Sequence, residues 1–77
     1  MVRYHFNIRD GEYIPDFEGS VLPTLGHAQR EAIRLAGYTL MTEPRQFWDG
    51  GEWFVEVTLD DDTLVFRVRF QAEVHSP

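Results

Sequence analysis

The chain has no cysteine, no lysine and no long apolar run, and each absence closes off a class of behaviour. Without cysteine there is no disulfide staple, no thiolate nucleophile and no Cys-based zinc site, and nothing argues for an oxidising compartment. No stretch approaches the roughly 20 apolar residues a bilayer crossing requires. Met1-Val2-Arg3-Tyr4 lacks the apolar core of a signal peptide, so the expectation is a cytoplasmic protein with no membrane association. All seven basic residues are Arg against thirteen acidic ones, a net charge of −6. That sign disfavours a generic nucleic-acid binder. With 77 residues there is room for one domain, near the size at which a core alone sustains folding at about 3–5 kcal/mol. A second stabiliser such as weak self-association would be useful to so small a core.

One segment, 24–42, has apolar residues at helical spacing. At about 100° per residue, Leu25, Ala28, Ala32, Leu35, Ala36 and Leu40 share an arc, with Ile33 at its margin, and His27, Arg30, Glu31, Arg34 and Tyr38 lie opposite. Thr24 is the expected N-cap and Pro44 the expected stop. The flanks alternate with period two. Val2, Tyr4, Phe6 and Ile8 share one face of a strand whose other face carries Arg3, His5, Asn7 and Arg9. Asp10-Gly11 then predicts a two-residue type I′ turn. The return strand, 12–14, is cut short by Pro15 and placed at the sheet edge. After the helix comes a connector, 43–46. Phe47 and Trp48 are expected to fold over the open end of the core, with a small hairpin at Asp49-Gly50-Gly51 as the alternative. Residues 52–59 and 63–70 form a final hairpin about Asp60-Asp61-Asp62, and 71–77 is an unpatterned tail.

These elements predict a single α+β domain, ββαββ, with an ordered part over about 2–70: an antiparallel sheet of three to four strands under one amphipathic helix. The favoured strand order is 2-1-3-4, with the last strand beside the first as the rival. The expected core is Tyr4, Phe6, Ile8, Leu25, Ala28, Ala32, Leu35, Ala36, Leu40, Val55, Val57, Leu64, Phe66 and Val68.

Asp10-Gly11-x-x-Ile14-Pro15-Asp16-x-Glu18-Gly19, with the aromatic first strand and Asp49-Gly50-Gly51-Glu52-Trp53, resembles a family of small bacterial proteins classed as a domain of unknown function. The resemblance runs from Tyr4 to Phe70 and implies the same fold, with no activity, substrate or cofactor attached. The family pattern usually has a Gly in the last hairpin, where this chain has Asp62-Thr63. Pro15-Asp16-x-x-Gly19 followed by a helix is also similar to HicB-type antitoxins, and that similarity implies binding of a small partner protein.

Chemistry-bearing patterns are sparse. His5, His27 and His75 show no metal-ligand spacing, and His27 with Glu31, four apart on a helix, is read as a surface contact rather than half of a zinc site. The three Asp lack the spread, central Gly and closing Glu of a calcium loop. The expectation is no enzyme, no metal and no cofactor. The suggestive surface is the sheet face away from the helix, where Arg3, His5, Arg9, Phe54, Glu56, Val65, Arg67 and Arg69 fall together. Three readings fit it: a solvated face with cross-strand pairs such as Arg67 with Glu56, a surface for a weak homodimer or another protein, and a single-stranded nucleic-acid platform.

Overall fold

The computed structural model describes residues 1–42, 44–49 and 52–76. In chain order it contains β1 (Val2–Asp10), β2 (Tyr13–Ile14), β3 (Ser20–Leu22), α1 (Leu25–Thr42), α2 (Pro44–Trp48), β4 (Trp53–Thr58) and β5 (Leu64–Phe70). The sheet is antiparallel, in the order β2-β1-β4-β5, with β3 also paired to β1. This is the favoured order of the two weighed from sequence, with one strand, β3, not foreseen. A three-residue strand flanked by Gly19 and Pro23 is too short to show a period.

The core lies between α1 and the middle of the sheet. Ala28, Ala32 and Ala36 are 0–3 % exposed, and their spacing of four puts them on one line down the helix. With only a methyl group each, they let the helix settle closely onto Tyr4, Phe6, Val55 and Val57, all buried. Thr24 caps the helix as expected, its Oγ accepting from the His27 N–H at 3.2 Å. Three expected core members are not in the core cluster: Leu40 is half-buried beside the buried Thr39 near the end of α1, and Leu25 and Leu64 are exposed. Leu25 is 46 % exposed, at the first residue of α1, where the helix has only just begun. Leu64 is 49 % exposed because the β4–β5 register shifts between Val57 and Thr58: Phe66 pairs with Val57, but Leu64 pairs with Thr58. The extra residue, Val65, is a bulge. Leu64 therefore shares the outward face with Thr58, and Val65 packs against the core cluster.

The first hairpin turn differs from the tight type expected, whereas the last is made by Asp60-Asp61-Asp62 as read from sequence. Arg9 pairs with Tyr13, so Asp10, Gly11 and Glu12 make a three-residue connection with positive φ only at Gly11. The Leu59–Thr63 turn closes with Leu59 N–H donating to the Thr63 carbonyl and Asp62 N–H to the Leu59 carbonyl, both at 3.0 Å. Asp62 sits at φ 67°, the left-handed position at which such three-residue turns favour Gly. Asp is one of the few side chains that tolerate it. Where a connector and loop were expected, Pro44–Trp48 forms a short helix. Phe47 packs edge-on to the buried Trp53 at 5.5 Å, while Trp48 is 60 % exposed. Of the two, it is Phe47 that packs inward, against Trp53. The alternative hairpin at Asp49-Gly50-Gly51 lies partly outside the described residues. Residues 71–76 carry no helix or strand.

Candidate functional site: the outer sheet face

Cross-strand register sorts the outer face into rows. The first runs Tyr13–Arg9–Phe54–Arg69 across β2, β1, β4 and β5. The second is Asn7–Glu56–Arg67, and the third is His5–Thr58–Leu64. Rows arise because directly opposed residues in an antiparallel sheet project to the same side. The alternation read from sequence therefore places Arg3, His5, Arg9, Phe54, Glu56, Arg67 and Arg69 on this side as expected. Val65 is the exception, turned by the bulge.

The first row alternates aromatic and cation. The Arg9 guanidinium carbon lies 5.2 Å from the Tyr13 ring centre, and those of Arg67 and Arg69 lie 4.9 and 5.8 Å from the Phe54 ring centre. Two guanidinium groups over one ring leave Phe54 only 7 % exposed. The apolar patch expected at Phe54 is thus already covered within one copy of the domain. Arg67 also donates from Nε to Glu56 Oε2 at 3.2 Å and from Nη2 to the same oxygen, the cross-strand pair anticipated from sequence. Among the described residues, neither Arg9 nor Arg69 has an acidic partner within ion-pair reach. The Arg9 Nε is buried without an acceptor among those residues. Tyr13, at the end of this row, has its hydroxyl pushed up in pKa first by burial and then by the nearby Glu56 charge.

The far end of the face is built around a clasp that sequence reasoning missed. Residues 13–22 run back along β1, but ladder pairing stops between Ile14 and Ser20. Asp16 fills the gap. Its carboxylate accepts from the N–H of Phe6 at 3.0 Å and of Gly19 at 3.0 Å, and its own N–H donates to Asn7 Oδ1 at 2.9 Å. Asn7 in turn donates to Thr58 Oγ1 at 3.1 Å. Gly19 is at φ 73°, and a Cβ there would lie 2.8 Å from Arg3 Cγ and 3.0 Å from His5 Cε1. Only glycine fits. Pro15-Asp16-x-x-Gly19, the signal shared by both resemblances, is thus a device for ending one strand and starting another beside the same neighbour.

His5 joins this clasp to the last turn. One ring nitrogen meets the Asp16 carbonyl at 2.8 Å and the other the Asp60 carboxylate at 2.7 Å, with Arg3 Nε 3.7 Å from the same carboxylate oxygen. Both partners accept, so the two bonds coexist only on a doubly protonated ring. The Asp60 hydrogen bond, then that of the Asp16 carbonyl, raises the His5 pKa above 6.5 against the opposing pull of burial. Between clasp and turn lies an open groove of about 410 Å³, floored by His5, Asn7 and Thr58 and rimmed by Tyr13, Phe17 and Asp60. On its floor Asn7 donates to Thr58, and His5 is held by Asp16 and Asp60. Among the described residues no three His, Cys, Asp or Glu side chains gather to hold a metal. His27 Nδ1 is engaged by the Thr24 hydroxyl, and Glu31 pairs with Arg34.

A helix-backed antiparallel sheet, its outer face tied by cation–aromatic rows and an Asp clasp, defines a small α+β domain. The chain belongs to the family described as Domain of unknown function (DUF6894), which matches residues 3–71. No curated protein and no solved structure matches it. The HicB-type similarity thus rests on the clasp motif alone, whose work here is structural. No helix among the described residues is long and apolar enough to cross a membrane.

Proposed function

We propose that the domain is a non-catalytic protein-binding module that takes an extended polypeptide segment along the outer edge of β5. The observation that carries this reading is the state of that edge. β5 is the last strand of the sheet and seven residues long, with no Pro or Gly in Leu-Val-Phe-Arg-Val-Arg-Phe. Beyond the Val65 bulge, alternate N–H and C=O groups from Phe66 to Phe70 point away from β4, the neighbour of β5 among the described residues, and are available to another strand. Its helix-side residues Phe66, Val68 and Phe70 are half-buried, so an added strand would cover apolar surface as well as backbone. Main-chain pairing with alternate side-chain pockets is a recurrent mode of peptide capture.

The nucleic-acid reading has less support. A single-strand platform needs open aromatic faces for base stacking, and Phe54 lies beneath Arg67 and Arg69. Arg67 is neutralised by Glu56, and the chain carries a net charge of −6.

Selection of binders from a displayed random-peptide library, followed by amide chemical-shift mapping, tests the proposal. Selected peptides should shift the 64–70 amides and slow their hydrogen exchange. Binders whose footprints fall on the His5 groove or on α1 instead would refute it.

A further inference from the structure

Resting on the β5 reading, we infer that the occupant of this edge is a different polypeptide whose outward positions carry Asp or Glu and whose alternate, helix-side positions are apolar. The period of two is imposed by β5 itself. An added strand meets Phe66, Val68 and Phe70 on one side and Arg67 and Arg69 on the other, and opposed side chains stand close enough to interact, about 4.5–5.5 Å between Cβ atoms.

The charge follows from how the two arginines are used. Arg67 already has Glu56. Arg69 ends the row Tyr13–Arg9–Phe54–Arg69, and its guanidinium has the Phe54 ring but no acid among the described residues. The next place in that row belongs to the incoming strand. A carboxylate there gains a bidentate partner in a fork geometry already held against an aromatic face. A lysine or arginine there would face an uncompensated like charge.

The same charges argue against a second copy of this chain. Two-fold antiparallel pairing of β5 with itself, centred on Arg67, sets Arg67 against its own counterpart; centred on Val68, it sets Arg67 against Arg69 of the other copy. Both of these central registers oppose arginines across the new ladder, which is destabilising, and shifting the centre to Phe66 sets Arg67 against Val65 and leaves both arginines without an acidic partner on the added strand. A strand with acids in those places meets no such conflict.

Two soluble, end-blocked peptides test this, one alternating Val and Glu, the other Val and Lys, each titrated into the whole chain with amide shifts followed. The Val/Glu peptide should shift the 64–70 amides and weaken as salt rises. Arg69→Gln should cost it severalfold in affinity and Arg69→Glu at least tenfold, with the Val/Lys peptide gaining on Arg69→Glu. Equal binding of both peptides at β5 would overturn the acidic assignment while leaving the edge reading in place. Shifts confined to other surfaces would overturn both. A concentration-dependent dimer through β5 without peptide, seen by sedimentation and by the 64–70 amides, would assign the edge to a second copy and overturn the inference.

Discussion

Removing the Asp16 carboxylate should come close to unfolding the domain. In Asp16→Ala, the Phe6 and Gly19 N–H groups each lose an acceptor at 3.0 Å. A hydrogen bond to a charged group is worth about 1.5–3 kcal/mol, and an orphaned buried donor costs about as much again as its desolvation. Both sites are part-buried, so water recovers some of the loss, and about 2–4 kcal/mol is the expected cost. Total stability for a core of this size is about 3–5 kcal/mol. The variant should therefore hold little folded population at 37 °C. Asp16→Asn keeps one acceptor oxygen and should fall between. Urea unfolding followed by Trp53 fluorescence measures the change, at about 1 kcal/mol per molar urea for a small domain. Loss of less than about 1 kcal/mol in Asp16→Ala, with the β1–β3 pairing intact by amide exchange, would show that water replaces the carboxylate and that the clasp reasoning is wrong.

Four further outcomes follow from the same geometry. Phe6→Ala should cost about 3–5 kcal/mol, since Phe6 is 5 % exposed among the alanines of α1; a cooperative variant at 37 °C would argue against this core. Asp62→Gly should stabilise by about 1 kcal/mol, relieving a non-glycine residue of its left-handed backbone, and an unchanged thermal midpoint would count against that strain. Because folding raises the His5 pKa above 6.5, its stabilisation is complete below that value and is lost as pH rises through the folded-state value; ring NMR titration should show the raised value and its fall in Asp60→Asn. Titration of labelled single-stranded DNA should give no strongly salt-dependent binding, and a steep salt dependence abolished by Arg67→Ala with Arg69→Ala would restore the nucleic-acid reading.

Much of this was legible in the chain because alternation and helical spacing are direct consequences of backbone period. Val2 to Arg9 and Trp53 to Thr58 take the faces that alternation gives them, and Ala28, Ala32 and Ala36 stand where a four-residue spacing puts them. The misses share a cause. A bulge adds one residue without altering composition, so Leu64 and Val65 exchange sides with nothing in their own identities to announce it. Alternation puts Phe54 on the outer face but is blind to the long arginines that fold back over its ring and bury it. Nothing local marks Asp16 as a clasp: its partners, Phe6 and Asn7, lie ten and nine residues away, beyond any local spacing rule. His5 was seen as a lone histidine because Asp60 is 55 positions distant.

The clasp also fixes how many neighbours the sheet can acquire. On the flank opposite β5, the outermost chain consists of two- and three-residue stretches separated by a proline, an aspartate whose polar groups turn inward, and a left-handed glycine. No straight run of outward N–H and C=O groups survives there for another strand to read. Under the proposed reading the domain itself therefore offers one receptive flank, at β5. Repeated addition of the domain to itself is opposed by geometry on the β2/β3 flank and by the arginines at β5.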